Sequence, residues 1–269
     1  MKGALLLGLV FAVRLVCQTD ADKAWSVLET ALADKSPDTR ARAAFVLGLI
    51  DNSPKAQSDA EKALTDSDSR VRAAAARALG AMGAKSSIPK LKALIKDDQS
   101  EVVFAVASAL RKLDDPTAFE IYYAALTGER KSGESLAEQQ MKILKDPKAL
   151  SKIGFEAGLG FVPFGGAGLA GYKMLTKDDA TPVRAAAATQ LASDPDPRAA
   201  KALVAALADS KWLVRAAAAD AIAQKNDPSL KNSLTPVFLD SKDTVRFTAA
   251  AAYLRLNGRP AGAGGRSRN

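Results

Sequence analysis

The stretch that decides the fold is Asp66-SDSRVRAAAARAL-Gly80, in which an aspartate-rich turn leads into an alanine-rich segment with a Val-Arg pair near its start. A closely similar stretch, Asp209-SKWLVRAAAADAI-Ala223, occurs in the second half of the chain. In both, apolar residues recur with the spacing of one face of a helix. One unit found at two distant places predicts a repeat protein, so a fixed period is the first property to test.

The aspartates that begin these units define the period. Their consecutive spacings are 32, 31, 81, 31 and 31 residues. The gap of 81 residues is one period of 31 plus 50 additional residues, so the chain is one regular array interrupted once. The six aspartates are Asp34, Asp66, Asp97, Asp178, Asp209 and Asp240.

Other positions keep the same register. Valine stands five residues after the aspartate in five of the six copies, and arginine stands six residues after it in five copies. Alanine stands ten residues after the aspartate in all six. At the interruption, Gly128 occupies an aspartate position. Within each unit the apolar spacing predicts two amphipathic helices. The predicted helices are 21–33, 37–50, 54–65, 69–82, 86–96, 100–113, 116–127, 181–192, 197–208, 212–224, 228–239 and 243–256.

A helix pair of this length cannot bury both of its apolar stripes alone, so neighbouring pairs must stack. The predicted fold is therefore all-α, an α-solenoid of about six helix pairs with one helical insertion. The aromatic side chains Trp25, Trp212, Phe104 and Phe119 are expected to fill space between the helices.

The two quoted units resemble HEAT repeats, specifically the short HEAT-like type that also occurs in phycobilisome lyases. The resemblance covers about residues 20–256 apart from the insertion, and it implies the fold without naming a reaction. Deoxyhypusine hydroxylase, an enzyme with such repeats, needs paired His-Glu iron ligands, and this chain has no histidine. Phycobilin lyases remain a distant alternative, since nothing in the sequence marks a bilin site.

The predicted domain organisation follows from the register and from composition. Residues 1–18 are a predicted signal peptide, 19–127 the N-terminal repeats, 128–177 a glycine-rich helical insertion, 178–256 the C-terminal repeats, and 257–269 a disordered basic tail.

The N-terminal segment predicts export. Lys2 precedes an apolar run from Ala4 to Val13, which is short for a membrane span and suited to a signal peptide. Arg14 interrupts this pattern, and the alternative is an N-terminal helix that caps the core. The expected location is periplasmic or secreted, and otherwise cytoplasmic.

Composition excludes several functions. Without histidine the chain lacks the commonest transition-metal ligand, and its single cysteine, Cys17, lies in the predicted signal peptide. We expect no catalytic, cofactor-binding or metal site. Of the net charge of +8, two units belong to the signal peptide and three to the tail, and the remaining charge is too small to predict nucleic-acid binding.

The repeated arginines and aspartates have two interpretations. They can form an anion-binding ladder, or each arginine can pair with an aspartate or a carbonyl and fix the stacking of neighbouring units. We favour the structural ladder because the positions follow the period and do not converge on one place. Its predicted members are Arg72, Arg184, Arg215, Arg246, Asp66, Asp178, Asp209 and Asp240.

The insertion is the part of the chain that the repeat does not explain. Three interpretations are open: a helical hairpin packed on the solenoid, a segment that enters or lies on an anionic membrane, and a mobile arm that orders against a partner. The candidate partner or membrane contacts are Lys142, Lys145, Lys148, Lys152, Phe155, Phe161, Phe164 and Tyr172.

Together these features predict a non-catalytic protein-binding scaffold whose partner is another protein. The expected docking face is the inner surface lined by the second helices. The alternative is a membrane-associated adaptor anchored by the insertion, and the distant alternative is a lyase-like enzyme.

Overall fold

The computed structural model describes residues 18–127 and 181–258, where all regular structure is helical. The α-helices of the first range are α1 (Asp20–Leu32), α2 (Pro37–Val46), α3 (Pro54–Ala63), α4 (Ser69–Ala81), α5 (Ile88–Ala93), α6 (Ser100–Lys112) and α7 (Thr117–Thr127). Those of the second range are α8 (Thr181–Leu191), α9 (Pro197–Ala206), α10 (Trp212–Lys225) and α11 (Asp243–Asn257). The predicted all-α solenoid is confirmed.

Short 3-10 helices complete several elements. Leu47–Leu49 extends α2, and the segments Lys85–Ser87 and Leu94–Lys96 flank α5. Pro228–Leu239 was expected to be helical and is a 3-10 helix that replaces the first helix of the last pair. Pro236 within it has no N–H to donate, which interrupts α-helical hydrogen bonding at that point.

The helices begin where the turn residues indicate. Ser36, Ser53 and Asp196 each accept a hydrogen bond from a backbone N–H of the following first turn, and each is followed by proline. This arrangement satisfies an otherwise unpaired donor and places proline where its missing N–H costs nothing. These caps therefore define where helices of the repeat begin.

Small residues bring the second helices of neighbouring pairs close together. The alanine ten residues after each repeat aspartate is buried in every copy. Helices α2, α4 and α6 pack in series, and so do α8, α10 and α11. These contacts form the core of each half.

The C-terminal pair continues into the N-terminal pair. Helix α11 packs against α1 and α2, although these helices stand at opposite ends of the sequence. Arg255 Nη1 donates to the carbonyl oxygen of Leu49 at 3.0 Å and to Asp51 Oδ1 at 2.6 Å across this junction. The stack therefore starts at α8, passes through α11 to α1, and finishes at α7.

This order divides the fourth helix pair. Its first helix, α7, packs on α6, whereas its second helix, α8, packs on α9 and α10. Within the described residues, α7 and α8 do not pack against each other as the partners of the intact pairs do. The two halves of one repeat thus lie at the two ends of the stack.

One of the aromatic expectations is wrong. Trp25, Trp212 and Phe104 are half-buried between helices, but Phe119 is 66% exposed on α7. The reason is that no further helix pair of the described chain covers this side of α7.

Several predictions concern residues outside the described ranges. They are the signal peptide, the insertion 128–177 and the basic tail, so the domain boundaries stay predictions. Across residues 18–127 and 181–258, no helix combines the length and the apolar character that crossing a membrane requires.

The approach of α4 to α6 gives a first testable prediction. A Cβ added at Gly80 would lie 2.7 Å from Cα of Ala109. We expect Gly80→Ala to lower the free energy of unfolding by about 1–3 kcal/mol, measured by urea denaturation, because the two backbones must move apart. At Gly258 the nearest atom would be 3.7 Å away, so Gly258→Ala is the control. Equal stabilities of the two variants would contradict the close packing.

Candidate functional site

Successive helix pairs are joined by arginine–aspartate contacts. Arg72 Nε and Nη2 donate to the two carboxylate oxygens of Asp97, each at 2.8 Å. Its Nη1 donates to the carbonyl oxygen of Asp66 at 2.9 Å. One guanidinium therefore holds the turn of its own pair and the turn of the following pair at once.

The same geometry occurs at two other boundaries. Arg40 Nε and Nη2 each donate to Asp66 at 2.8 Å. Arg215 Nε and Nη2 donate to Asp240 at 2.5 and 2.9 Å. Two parallel hydrogen bonds between a planar guanidinium and a carboxylate fix orientation as well as distance. These contacts set how one pair sits on the next.

Two of the predicted ladder arginines make fewer contacts between pairs. Arg184 Nη1 donates to Asp209 Oδ2 at 2.7 Å, and its side chain is 45% exposed. Arg246 Nη1 donates to the carbonyl oxygen of Asp240 at 2.7 Å, while its Nη2 pairs with Asp243 in its own helix. Arg246 follows the last repeat aspartate of the sequence, so its second partner comes from within its own pair.

The ladder also determines the ionisation of its members. Hydrogen bonds from Arg40 lower the pKa of Asp66. Burial acts to raise the pKa of Asp97, but hydrogen bonds from Arg72 and from the backbone N–H of Gln99 outweigh it, and the pKa is lowered. The carboxylates are therefore charged at neutral pH and engaged in holding the turns.

At one boundary of the array the repeat arginine itself is absent. Val103 occupies the arginine position of α6 and is buried. In the sequence, Gly128 occupies the aspartate position that would have been its partner. The arginine is therefore missing where the regular series is interrupted, and no ladder guanidinium is left buried without a partner. This boundary coincides with the end of the stack at α7.

The exposed stripe of the second helices carries charges of both signs. Arg70 pairs with Asp38 of the neighbouring helix, and Arg77 Nη2 lies 3.4 Å from Glu101 Oε1 on the opposite side. Ion pairs thus join α4 to α2 and to α6 across this stripe. We call it the second-helix surface, and its charged residues are Asp38, Arg42, Arg70, Arg77 and Glu101.

Charged side chains also line a cavity between the first helices of the first two pairs. An open cavity of about 280 Å³ lies between α1 and α3 and is lined by Glu29, Asp59, Lys62, Asp66 and apolar neighbours. Lys62 Nζ lies 2.9 Å from Asp59 Oδ1. Within the two described ranges, no group of three or more histidine, cysteine, aspartate or glutamate side chains is placed to hold a metal ion. The lining contains acids and one lysine, each in contact with structural neighbours.

A buried carboxyl that the repeat pattern did not reveal lies in α10. Asp220 is 2% exposed, and Gln224 Nε2 donates to its Oδ2 at 2.5 Å, while Oδ1 accepts no hydrogen bond. Burial raises the pKa of Asp220 to about 7, and the hydrogen bond from Gln224 and the charge of Arg255 offset this only partly. The one signal in the sequence was an acidic residue inside an alanine-rich helix.

The remaining predicted site residues are not placed. Asp178 of the ladder lies outside the described residues. So do all eight candidate partner or membrane contacts, which are Lys142, Lys145, Lys148, Lys152, Phe155, Phe161, Phe164 and Tyr172.

This chain is similar to one protein family and to several solved structures. A family model described as HEAT repeats matches residues 25–111 and 172–255. No curated protein matches the chain significantly. Among solved structures, human deoxyhypusine hydroxylase in complex with glycerol is similar at 18% identity and a TM-score of 0.35, over 89% of this chain and 98% of that chain.

Two engineered proteins of solved structure are similar at 21% and 20% identity, with TM-scores of 0.27 and 0.28. The matches cover 87% and 88% of this chain and 96% and 99% of theirs. At these scores the solved structures support no inference about activity.

Removing two arginines at equivalent repeat positions should lower the free energy of unfolding by different amounts. Arg72→Ala leaves the carboxylate of Asp97, which is 6% exposed, without its counter-charge. We expect the free energy of unfolding to fall by about 3 kcal/mol in urea denaturation. Arg184→Ala removes one half-exposed contact and should cost less than about 1 kcal/mol.

A double variant tests the cause. Arg72→Ala combined with Asp97→Ala should be more stable than the sum of the single losses implies, because no lone carboxylate remains buried. Equal losses for Arg72→Ala and Arg184→Ala would contradict the role of burial.

Asp220 predicts a pH dependence of stability. Its folded pKa is about 7, against about 4 for an unfolded aspartate, so the folded state holds the proton more tightly. Stability should therefore fall as pH rises from about 4 to about 7 and then level off, by several kcal/mol at most. Asp220→Asn should remove this decline and be more stable than the wild type at pH 8, measured by thermal and urea unfolding.

The control for this measurement is Asp98→Asn, which removes an exposed carboxyl. It should keep the decline between pH 4 and pH 7. The same decline in Asp220→Asn would assign it to other groups.

Proposed function

The chain belongs to the HEAT-repeat family, and we propose that it is a non-catalytic, exported scaffold that binds another protein. The observation that carries this proposal is the second-helix surface, where partly exposed charges of both signs are held in place across consecutive helices. A surface whose side chains are already ordered loses less entropy when a partner binds.

The ladder supports this role because it stiffens the layer beneath the surface. Bidentate contacts at Arg40, Arg72 and Arg215 hold successive turns in place. The partner that fits is a protein with a mixed-charge surface, since paired rows of opposite charge favour complementary charges and disfavour a uniform polyanion.

The non-catalytic part of the proposal rests on chemistry. The whole chain has no histidine, and its one cysteine, Cys17, falls in the predicted signal peptide. The charged groups along the ladder and at the cavity between α1 and α3 pair with structural neighbours, so none is poised as a nucleophile or a general base. A lyase-like enzyme stays the distant alternative.

The export part rests on the N-terminal segment, with Lys2 before the apolar run from Ala4 to Val13. The second candidate function, a membrane-associated adaptor, rests on four lysines at helical spacing beside a glycine-rich aromatic segment within 128–177. Both features are properties of the sequence and call for direct tests.

The scaffold predicts a partner that depends on the second-helix surface. We would compare affinity capture from source cells by the wild type, by Arg42→Glu/Arg77→Glu, and by the control Lys35→Glu/Lys96→Glu, whose lysines are exposed outside this surface. At least one protein should be retained by the wild type and the control and be reduced about tenfold or more by the surface variant, because like charges in an interface are strongly unfavourable. The same proteins captured equally by all three chains would contradict the proposal.

Two further arms of this experiment separate the alternatives. Extracytoplasmic and cytoplasmic fractions are captured separately, and recovery of the chain from the cytoplasm alone contradicts export. Co-sedimentation with anionic vesicles is then measured for the full chain and for a full chain with four lysines changed to glutamine. Vesicle binding that is lost in this variant would favour the adaptor over the scaffold; the lysines are Lys142, Lys145, Lys148 and Lys152.

A further inference from the structure

Three of the most exposed large apolar side chains lie at the two ends of the stack. Phe119 and Tyr123 on α7 are 66% and 47% exposed, and their rings stack with centroids 5.9 Å apart. Val183 on α8 is 59% exposed. The repeat register explains the exposure of Phe119 and Val183.

Phe119 and Tyr123 stand nine and five residues before the aspartate position of their copy, Gly128. In the first copy, the side chains at these positions are Trp25, which is half-buried, and Glu29, which is exposed; both contact the first helix of the following pair. Lys55 of that helix lies 4.8 Å from the centroid of the Trp25 ring and pairs with Glu29.

The second and third copies make the same contacts. Gln57 Nε2 donates to Ser86 Oγ of the following pair at 2.7 Å, and Glu61 pairs with Lys90. Lys92, in the third copy, lies 2.9 Å from Asp115 of the following pair. This face of a first helix is therefore the one that receives the next pair, and on α7 it receives none from the described chain.

Val183 is uncovered for the complementary reason. Val183 stands five residues after its repeat aspartate. The equivalent residue of the second copy, Val71, is buried in a cluster with Ala41, Ala44 and Phe45 of the preceding pair. The valines at this position in three further copies are buried as well; they are Val102, Val214 and Val245. Helix α8 begins the stack, so no preceding pair among residues 18–127 and 181–258 covers its valine.

The two ends match each other as successive copies do. Lys55, which lies on the Trp25 ring, stands eleven residues before its repeat aspartate. In the copy that follows α8, the residue eleven positions before the repeat aspartate is Arg198 on α9. Its side chain is 89% exposed and pairs with Asp196, the N-cap residue of the same helix. A pair placed after α7 in register would set Arg198 on the aromatic face of Phe119, repeating the cation–ring contact of the first boundary.

From this match we propose that two copies of the chain associate head to tail, with α7 of one copy packed against the α8–α9 end of the other. Val103 stands at the arginine position of α6, so this boundary leaves no ladder arginine without a partner. The contact uses different surfaces on the two copies, so each dimer keeps one open end of each kind and can extend into a ring or a filament. This proposal does not depend on the proposed scaffold function.

The test uses two variants of the full chain that each disable one end, Phe119→Asp and Val183→Asp. Both positions are exposed, so the fold should persist, as circular dichroism can verify. Sedimentation velocity should show concentration-dependent association of the wild type and monomers for each variant alone. A mixture of the two variants should form a one-to-one dimer and nothing larger, since only one intact pair of ends remains. The control is Leu239→Asp, which replaces an exposed apolar side chain away from the two ends. Leu239 is 89% exposed, and this variant should associate like the wild type.

Other results would overturn the proposal. A wild type that stays monomeric at all concentrations means that the ends are closed within one chain or left open. Association that survives in Val183→Asp alone but is lost in Phe119→Asp means a symmetric contact between two α7 helices. Arg198→Glu provides a further check, because it should weaken association, and an unchanged dissociation constant would contradict the cation–ring contact.

Discussion

The contact on which this structure depends is the guanidinium that reaches both the turn of its own helix pair and the carboxylate of the next. Arg72 shows it fully, with Asp66 on one side and Asp97 on the other. A planar fork of donors tolerates little rotation, so each pair is set on its neighbour in one orientation. Apolar packing alone, with alanine at most contacts, would leave the helices freer to slide, because small side chains interlock weakly.

The ladder works together with the small residues in the second helices. Alanine and glycine let α4 approach α6 until a Cβ at Gly80 would meet the backbone of Ala109. At so short a distance the core excludes water and the ion pairs at its edge are partly desolvated, which strengthens them. Because these small residues fill much of the core, the chain has few large apolar side chains, and Phe119 and Tyr123 at one end of the stack are among those that are exposed.

The junction between α11 and the first pair shows how far the repeat rule extends. At that boundary Arg246 does not reach the next aspartate, and Arg255 instead binds Asp51 and the carbonyl oxygen of Leu49. Other neighbouring pairs are consecutive in the chain and are joined by a short turn, whereas α11 and α1 are not. The packing at this junction therefore depends on side-chain contacts alone. Asp220, buried in α10 near Arg255, belongs to this irregular region, which explains why its environment differs from that of the ladder carboxylates.

By itself the sequence determined the period, the helix pairs and most helix ends, because caps such as Asp196 and the spacing of valine, arginine and alanine are local properties of the chain. It also indicated that the arginines are structural, since they recur with the period. Only the tertiary structure decided which pairs are neighbours: that α11 meets α1, that α7 and α8 lie at opposite ends, and that Phe119 is exposed. A periodic sequence specifies how one unit fits the next, and every unit fits in the same way. Where the series begins and ends in space depends on contacts between residues far apart in the chain, which no local pattern records.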